Sequence, residues 1–252
     1  MKKKLSDLKH YSSNNEELAR SELFKLFDNA PLPKDQILNN LGLFIESKWL
    51  SRILFFDFIY KKIIETQGVI MEFGTHWGQN AALLTALRGI YEPFNRHRKI
   101  IGFDTYKGFP SINKKDGGSD LMIPGKLKLP KNYPDYLKEL LDVHESLNPL
   151  SHIKKNEICV GDASVELAKY LKKEPQTVIA LAYFDFDIYK PTKDCLKMIK
   201  DRITKGSIIG FDELNDPDSP GETLALMEEI GLRNIRLKKY QFCSRVSYFI
   251  VE

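Results

Sequence analysis

The sequence has few cysteines and no long apolar run. Its three cysteines, Cys159, Cys195 and Cys243, are isolated from one another and odd in number, which excludes a disulfide framework and a zinc-ligand spacing. The lysine-rich start of the chain has no apolar stretch behind it, so we expect no signal peptide. No run approaches the length of about 18 apolar residues that a membrane span needs. These absences predict a cytoplasmic protein without a membrane partner.

A strong charge of one sign is also missing. The chain has 38 Lys and Arg residues against 34 Asp and Glu residues, a net charge of +4 over 252 residues. This mild, scattered charge gives no reason to expect a nucleic-acid partner. Hydrophobic residues make up 42 % of the chain, which is enough for a sizeable core. The length fits one large α/β domain with a cap.

Residues 1–66 precede the first predicted strand and show apolar residues at helical spacing. We interpret them as an N-terminal helical cap, with helices over 16–28, 34–50 and 52–65. Residues 67–252 then alternate strands with helices, a pattern typical of an α/β fold with a parallel sheet. Strands are predicted at 69–73, 99–103, 157–160, 178–184, 207–211, 234–239 and 245–251. The last two are close in sequence and predict an antiparallel hairpin at the sheet edge.

A glycine turn follows the first strand, in the order Glu72-x-Gly74-x-x-x-Gly78. Glycine lets the backbone adopt conformations that other residues resist, and the free amides of a helix start face a ligand. The pattern lacks the G-x-G-x-x-G fingerprint and resembles the S-adenosylmethionine (SAM) loop of class I methyltransferases, where an acid lies near the cofactor's ammonium. The alternative is a turn that serves packing only. The cofactor candidates here are Glu72, Gly74, Thr75, His76, Gly78 and Asn80.

His76 has two interpretations. It is either a catalytic base or, as we favour, a residue that packs on the loop and meets the cofactor through its backbone.

Two later strand ends supply further cofactor candidates. Asp104 ends the second strand, at the position where an acid binds the ribose hydroxyls in nucleotide-binding folds. The alternative is that Asp104 caps the start of a helix. Thr105 and Tyr106 follow Asp104, and the tyrosine is placed to cover the ribose or adenine. The third strand ends at Gly161, Asp162 and Ala163, where the carboxylate can accept from the adenine amino group.

Residues at about 111–150 form a long excursion between the second and third strands. Excursions of this length are uncommon unless they are functional or disordered. We interpret this one as a lid over the substrate, and the alternative is an arm that contacts a second copy of the chain.

Acids end two further strands that the order of elements makes neighbours. Asp185 or Asp187 therefore comes close to Asp212 and Glu213. Carboxylates gathered in one crevice must either take up protons or bind a cation, and hard oxygen ligands suit Mg²⁺ or Ca²⁺. The alternative is that Asp187 and Glu213 point to solvent or cap helices. A bound metal would lower the pKa of a substrate hydroxyl, and a nearby Asp would take its proton.

Four motifs together resemble the macrocin O-methyltransferase-like family, which is class I, SAM-dependent and metal-assisted. They are Glu72–Gly78, Gly102–Pro110, Asp185–Thr192 and Phe211–Glu213, and the resemblance covers about residues 50–252. It implies a Rossmann-like, mostly parallel sheet of seven strands with helices on both faces. It also implies methylation of a hydroxyl on a sugar or glycosylated small molecule, and a homo-oligomer in keeping with the family.

The resemblance also suggests roles for the acids. It implies that Mg²⁺ is held by one Asp of the fourth-strand motif and by the Asp212-Glu213 pair, where an Asp-Asp pair is more usual. We assign Asp185 to the metal and Asp187 to the base, although the sequence does not separate the two. The rival interpretations are a non-catalytic SAM- or nucleotide-binding module and a hydroxylase-like relative on the same fold.

Overall fold

The computed structural model describes residues 12–252 and divides the chain into two compact units, with the boundary between Arg52 and Ile53. The expectation that no signal peptide is present concerns residues 1–11, which lie outside this range. Within the described range, no helix combines the length and apolar character that a membrane crossing requires.

The first unit is helical. It contains α1 (Asn14–Asp28), α2 (Lys34–Asn39), a 3-10 turn (Leu41–Phe44) and the start of α3 (Ser47–Ile63), which continues into the second unit. The single helix predicted over 34–50 is wrong, because α2 ends at Asn39 and the backbone of the next residue, Asn40, leaves the helical region at φ −122° and ψ 26°. No residue of α1 or α2 is buried.

The second unit alternates strands and helices as the sequence predicts. Its strands are β1 (Val69–Phe73), β2 (Ile100–Asp104), β3 (Asn156–Val160), β4 (Ile179–Phe184), β5 (Ile203–Phe211), β6 (Lys238–Tyr240) and β7 (Cys243–Ile250). Its further helices are α4 (Gln79–Tyr91), α5 (Tyr133–Ser146), α6 (Ala163–Lys173), α7 (Tyr189–Ile199) and α8 (Gly221–Glu229). Short 3-10 turns lie at Lys114–Asp116, Lys200–Arg202 and Leu232–Asn234.

In the described part of the chain these strands form one seven-stranded sheet in the order β3-β2-β1-β4-β5-β7-β6. The first five strands pair in parallel, and β7 pairs antiparallel with both β5 and β6. The mostly parallel sheet and the edge hairpin are therefore confirmed. The predicted strand 234–239 starts too early, because Gly231 turns the chain at φ 79° and Asn234 donates back to its carbonyl.

Helices cover both faces of the sheet. One core packs α3, α4 and α5 against side chains such as Ile70 and Tyr183, and the other packs α6, α7 and α8 against side chains such as Met71 and Ile209. Every residue of β4 is buried, as expected of a central parallel strand with both faces covered.

Four phenylalanines mark the same level on four neighbouring strands. Phe103, Phe73, Phe184 and Phe211 lie in register on β2, β1, β4 and β5. Their rings stack in a row, with centroid separations of 5.2 Å, 4.6 Å and 5.3 Å across the sheet. All four side chains are fully buried. We call them the phenylalanine row, and they fix the height at which these four strands end.

Helix α5 is the crossover between β2 and β3 and is tied to the core by buried charges. Arg88 of α4 donates to Glu145 at its C-terminal end, and the Nζ atom of Lys155 lies 2.7 Å from Glu145 Oε1. Each of these side chains is at most 5 % exposed. Breaking such a buried pair costs several kcal/mol, so α5 is a fixed part of the fold.

The phenylalanine row predicts a large loss of stability for Phe184→Ala. Truncating a buried phenylalanine costs about 3–5 kcal/mol, since the lost packing leaves a cavity. The free energy of unfolding, from urea denaturation followed by tryptophan fluorescence, measures the loss. Phe94→Ala is the matched control because that ring is 76 % exposed. A loss at Phe184 as small as at Phe94 would contradict the role given to the row.

Candidate active site

The candidate site begins with the residues that directly follow the phenylalanine row. Gly74, Asp104, Asp185 and Asp212 each come directly after one of the four rings. Backbone hydrogen bonds continue the sheet for one more residue at 2.8–2.9 Å, from Asp185 N to the Phe73 carbonyl and from Asp212 N to the Phe184 carbonyl. The carboxyl ends of parallel strands meet at one edge of a sheet, which brings three acids to this edge in the order that the sequence predicts.

The close approach of the Asp185 backbone leaves no room for a side chain at position 74. The φ of Gly74, 97°, lies in the region that favours glycine, and a Cβ there would come within 2.0 Å of the Asp185 carbonyl oxygen. The loop after β4 therefore packs against the backbone of this glycine. Gly78 also has positive φ, at 76°, and a Cβ there would meet the Leu137 side chain of α5.

Asp104 organises two turns at once. One of its oxygens accepts from the backbone amide of His76 at 2.7 Å and the other accepts from the amide of Tyr106 at 2.6 Å. Both donors have positive φ, 46° and 55°, a conformation that costs non-glycine residues energy. The carboxylate thus holds the glycine loop and its own turn in shape. A carboxylate has about four lone-pair sites, so sites remain for two hydroxyl donors.

Asp162 caps α6. Its Oδ1 accepts from the amides of Ser164 at 2.9 Å and Val165 at 3.3 Å. Burial alone would raise the pKa of Asp162, but the hydrogen bond that the Ser164 hydroxyl donates at 2.5 Å, together with the two backbone amides, outweighs it and holds the pKa below its usual value. The cap uses Oδ1 only, and Asp162 also lines the crevice described next.

A crevice runs along this edge of the sheet, and most of the predicted site residues line it. The predicted site residues that line it are Gly74, His76, Asp104, Thr105, Gly161, Asp162, Ala163, Asp185 and Asp187. Residues of the turn after β2 and of the excursion, including Phe109 and Leu127, form the other wall. Burial lowers the pKa of the His76 imidazole, against the opposing charges of Asp104 and Asp187.

Other predicted residues are buried away from the lining. Glu72, Thr75, Asn80 and Tyr106 are each at most 5 % exposed, and Asp212 and Glu213 are 6 % and 1 % exposed. Gly78 is also buried. Their roles in binding stay predictions.

The acids at the ends of β4 and β5 share one positive partner. The Arg245 guanidinium of β7 ion-pairs with Glu213 and lies 3.6 Å from Asp212 Oδ2. Tyr183 donates to Asp212 Oδ1 at 2.9 Å. A third carboxylate, Glu222 of α8, accepts from the backbone amides of Phe186 at 2.8 Å and Asp187 at 3.3 Å.

Burial makes these carboxylates hard to ionise. Burial raises the pKa of Asp187, and the nearby charge of Asp212 adds to the rise. Burial also raises the pKa of Glu213 well above its ordinary value, with Asp187 as the next cause. The pKa of Glu222 rises to about 8, again through burial and then through Asp187. Burial and mutual repulsion therefore outweigh the positive charge of Arg245 at these three carboxylates.

The donor chemistry suits a hard cation. Glu213 Oε1 is buried and has no hydrogen-bond partner, and carboxylate oxygens are the ligands that Mg²⁺ prefers. Within residues 12–252, however, no group of three or more His, Cys, Asp or Glu side chains is gathered as for a metal ion. The residue types fit Mg²⁺, and Arg245 now neutralises two of the acids that would hold it.

Sequence reasoning missed Glu222 and Arg245. An acid in the first turn of a helix, after Pro220, is an ordinary helix-start feature, and an arginine on an outer strand is equally common. Neither position carries a local signal, because their importance comes only from the way α8 and β7 pack beside β4 and β5.

Comparisons with known proteins agree with this geometry. No protein-family model matches the chain, and no curated protein matches it. Among solved structures, the calicheamicin methyltransferase CalS11 is 38% identical, with a TM-score of 0.93 and 98% of each chain covered. A second CalS11 structure, named TDP-rhamnose 3'-O-methyltransferase in its apo form, is 37% identical, with a TM-score of 0.85 and 96% of each chain covered.

A more distant structure supports the fold alone. The O-methyltransferase NovP is 13% identical, with a TM-score of 0.58 and 79% of each chain covered. The sheet order, the crevice and the identity to CalS11 over nearly the whole chain confirm the fold and the resemblance seen in the sequence. The chain belongs to the macrocin O-methyltransferase-like family of SAM-dependent sugar O-methyltransferases.

Proposed function

We propose that the acceptor is a sugar attached to a nucleoside diphosphate, and that Asp187 removes the proton from the sugar hydroxyl. The observation that carries the acceptor class is the 38% identity over 98% of the chain to an enzyme described as a TDP-rhamnose 3'-O-methyltransferase. The family activity, transfer of a methyl group from SAM to a sugar hydroxyl, sets the chemistry. A macrolide or another glycosylated small molecule is the second class of acceptor that the sequence suggests.

Residues along the crevice suit the parts of SAM. Asp104 has lone pairs left for the two ribose hydroxyls, and Asp162, whose cap uses Oδ1 only, would accept from the adenine amino group through Oδ2. The Glu72–Gly78 turn would hold the amino-acid end, where the cofactor carries its ammonium. When bound, SAM supplies a methyl group on a positive sulfur, and the protein's task is to align the acceptor oxygen with it.

Asp187 is suited to the role of base by its burial. A raised pKa makes its carboxylate a stronger proton acceptor than an exposed aspartate. It lines the crevice, whereas Glu213 and Asp212 lie deeper. With SAM bound, Asp187 would accept the proton of the sugar hydroxyl as the oxygen bonds to the methyl carbon, and the sulfur would keep the electron pair of its broken bond to that carbon.

We further propose that Mg²⁺ would be held by Asp185, Asp212 and Glu213, and would lower the pKa of the acceptor hydroxyl. Glu213 Oε1, buried without a partner, supports this. Arg245 has to give up its bonds to the acids for the ion to bind.

The lid and the oligomer remain proposals. Because α5 is fixed by Arg88 and Glu145, a moving lid would be confined to residues 111–132, and hydrogen exchange with and without S-adenosylhomocysteine measures that motion. A homo-oligomer is supported by exposed apolar side chains of the first unit, including Leu18, Leu38 and Leu43. Light scattering of the purified chain tests it.

The acceptor is tested directly by incubating the protein with SAM and TDP-rhamnose. We expect a product heavier by one methyl group in mass spectrometry, with NMR locating the new methoxy group on the sugar. Free rhamnose is the matched acceptor and should react far less, since it lacks the nucleotide. Transfer to a glycosylated macrolide but to no TDP-linked sugar would contradict the proposed class.

Asp187→Asn should abolish turnover and leave the cofactor in place. The amide keeps the shape but takes no proton, so kcat should fall by about 10²–10⁴-fold, the usual contribution of a general base. The dissociation constant for SAM, from calorimetry, should stay unchanged. Asp194→Asn is the control, because Asp194 pairs with Lys190 on the surface. Retained turnover in the Asp187 variant removes this residue from the mechanism.

Removing divalent cations should slow the reaction. EDTA treatment is expected to lower kcat by at least about 10-fold, because the acceptor hydroxyl loses its activation, and added Mg²⁺ should restore it. Mg²⁺ should also raise the thermal unfolding midpoint by binding the folded state, and Asp212→Asn should reduce that rise. Full activity in EDTA, with no effect of Mg²⁺ on the unfolding midpoint, would exclude a metal ion from the mechanism.

A further inference from the structure

The loop that carries Asp187 is held in an unfavourable conformation. Asp187 has φ of 61°, in the left-handed region that favours glycine. Strain of this kind persists only where the surroundings fix the backbone. The direction of the Asp187 side chain depends on that backbone, so whatever holds the loop also aims the carboxylate.

Two buried carboxylates from other segments hold this loop. Glu222 Oε1 accepts from the backbone amides of both Phe186 and Asp187, and the Glu222 side chain is fully buried. Asp116 of the excursion accepts from the amide of Tyr189 at 2.6 Å and is 1 % exposed. Of the two, only Glu222 bonds to Asp187 itself.

We propose that Glu222 is a positioning residue, whose Oε1 fixes the backbone of Phe186 and Asp187 and thereby aims the Asp187 carboxylate at the acceptor hydroxyl. This inference rests on the role proposed for Asp187. Glu222 does not line the crevice, so it acts through the loop and not on the acceptor.

The oxygen, and not the charge, is the part of Glu222 that this role needs. Two amide donors converge on Oε1, and a neutral amide oxygen can accept both of them. Glutamine therefore keeps the function. Methionine has nearly the same length and volume, so it fills the same space in the core but has no comparable acceptor.

The test compares Glu222→Gln with Glu222→Met, using kcat and KM for the acceptor, the dissociation constant for SAM and the thermal unfolding midpoint. We expect kcat of the glutamine variant to stay within about threefold of wild type, and that of the methionine variant to fall by about 10²-fold, the usual cost of a misplaced group. SAM binding should be the same in both. Glu229→Gln and Glu229→Met are the controls on the same helix, because Glu229 pairs with Lys200 near the surface.

Three results would overturn the inference. If both Glu222 variants keep wild-type kcat, the two hydrogen bonds do not aim Asp187. If both lose kcat equally, the charge matters and the acceptor oxygen does not. If Glu222→Met loses SAM binding and stability as much as kcat, the residue is structural. If the proposed role of Asp187 as the base is wrong, the Asp187→Asn variant shows this separately by keeping the wild-type rate.

Discussion

The stacked phenylalanines at the ends of four parallel strands are the interaction on which the site depends. Their rings set β2, β1, β4 and β5 at one height, so the next residue of each strand reaches the same edge. Because the stack is buried and continuous, the residues above it have little freedom along the strand direction. The arrangement turns three separate sequence positions, Asp104, Asp185 and Asp212, into one constellation.

The convergence of the strand ends brings several carboxylates together, and their mutual repulsion is unfavourable. The same repulsion raises their affinity for protons and cations. Glu213 and Glu222 are buried and Asp187 lies half-buried beside them, and desolvation and mutual repulsion raise the three pKa values. The protein offsets part of the charge with Arg245 and with backbone amides. What is left favours taking up a proton or a cation, and the proposed mechanism uses both on the acceptor side.

Much of this could be predicted from local pattern. The apolar run of β4, the glycines after β1 and the acids after β2, β4 and β5 identify the strands and the edge where they end, because parallel strands obey a simple geometry. The break after α2 and the late start of β6 could not be predicted, since they depend on backbone angles at Asn40 and Gly231. Glu222 and Arg245 could not be predicted from the sequence either, because tertiary packing alone brings them to the site.

A crystal structure of the complex with S-adenosylhomocysteine, Mg²⁺ and a TDP-linked sugar tests the central claim most directly. The account predicts the ribose hydroxyls on Asp104, the sulfur in the crevice above the phenylalanine row, and the acceptor hydroxyl within about 3.2 Å of Asp187, the reach of a general base. Adenosine bound away from this edge, or a sugar hydroxyl that faces neither Asp187 nor the metal, would contradict it.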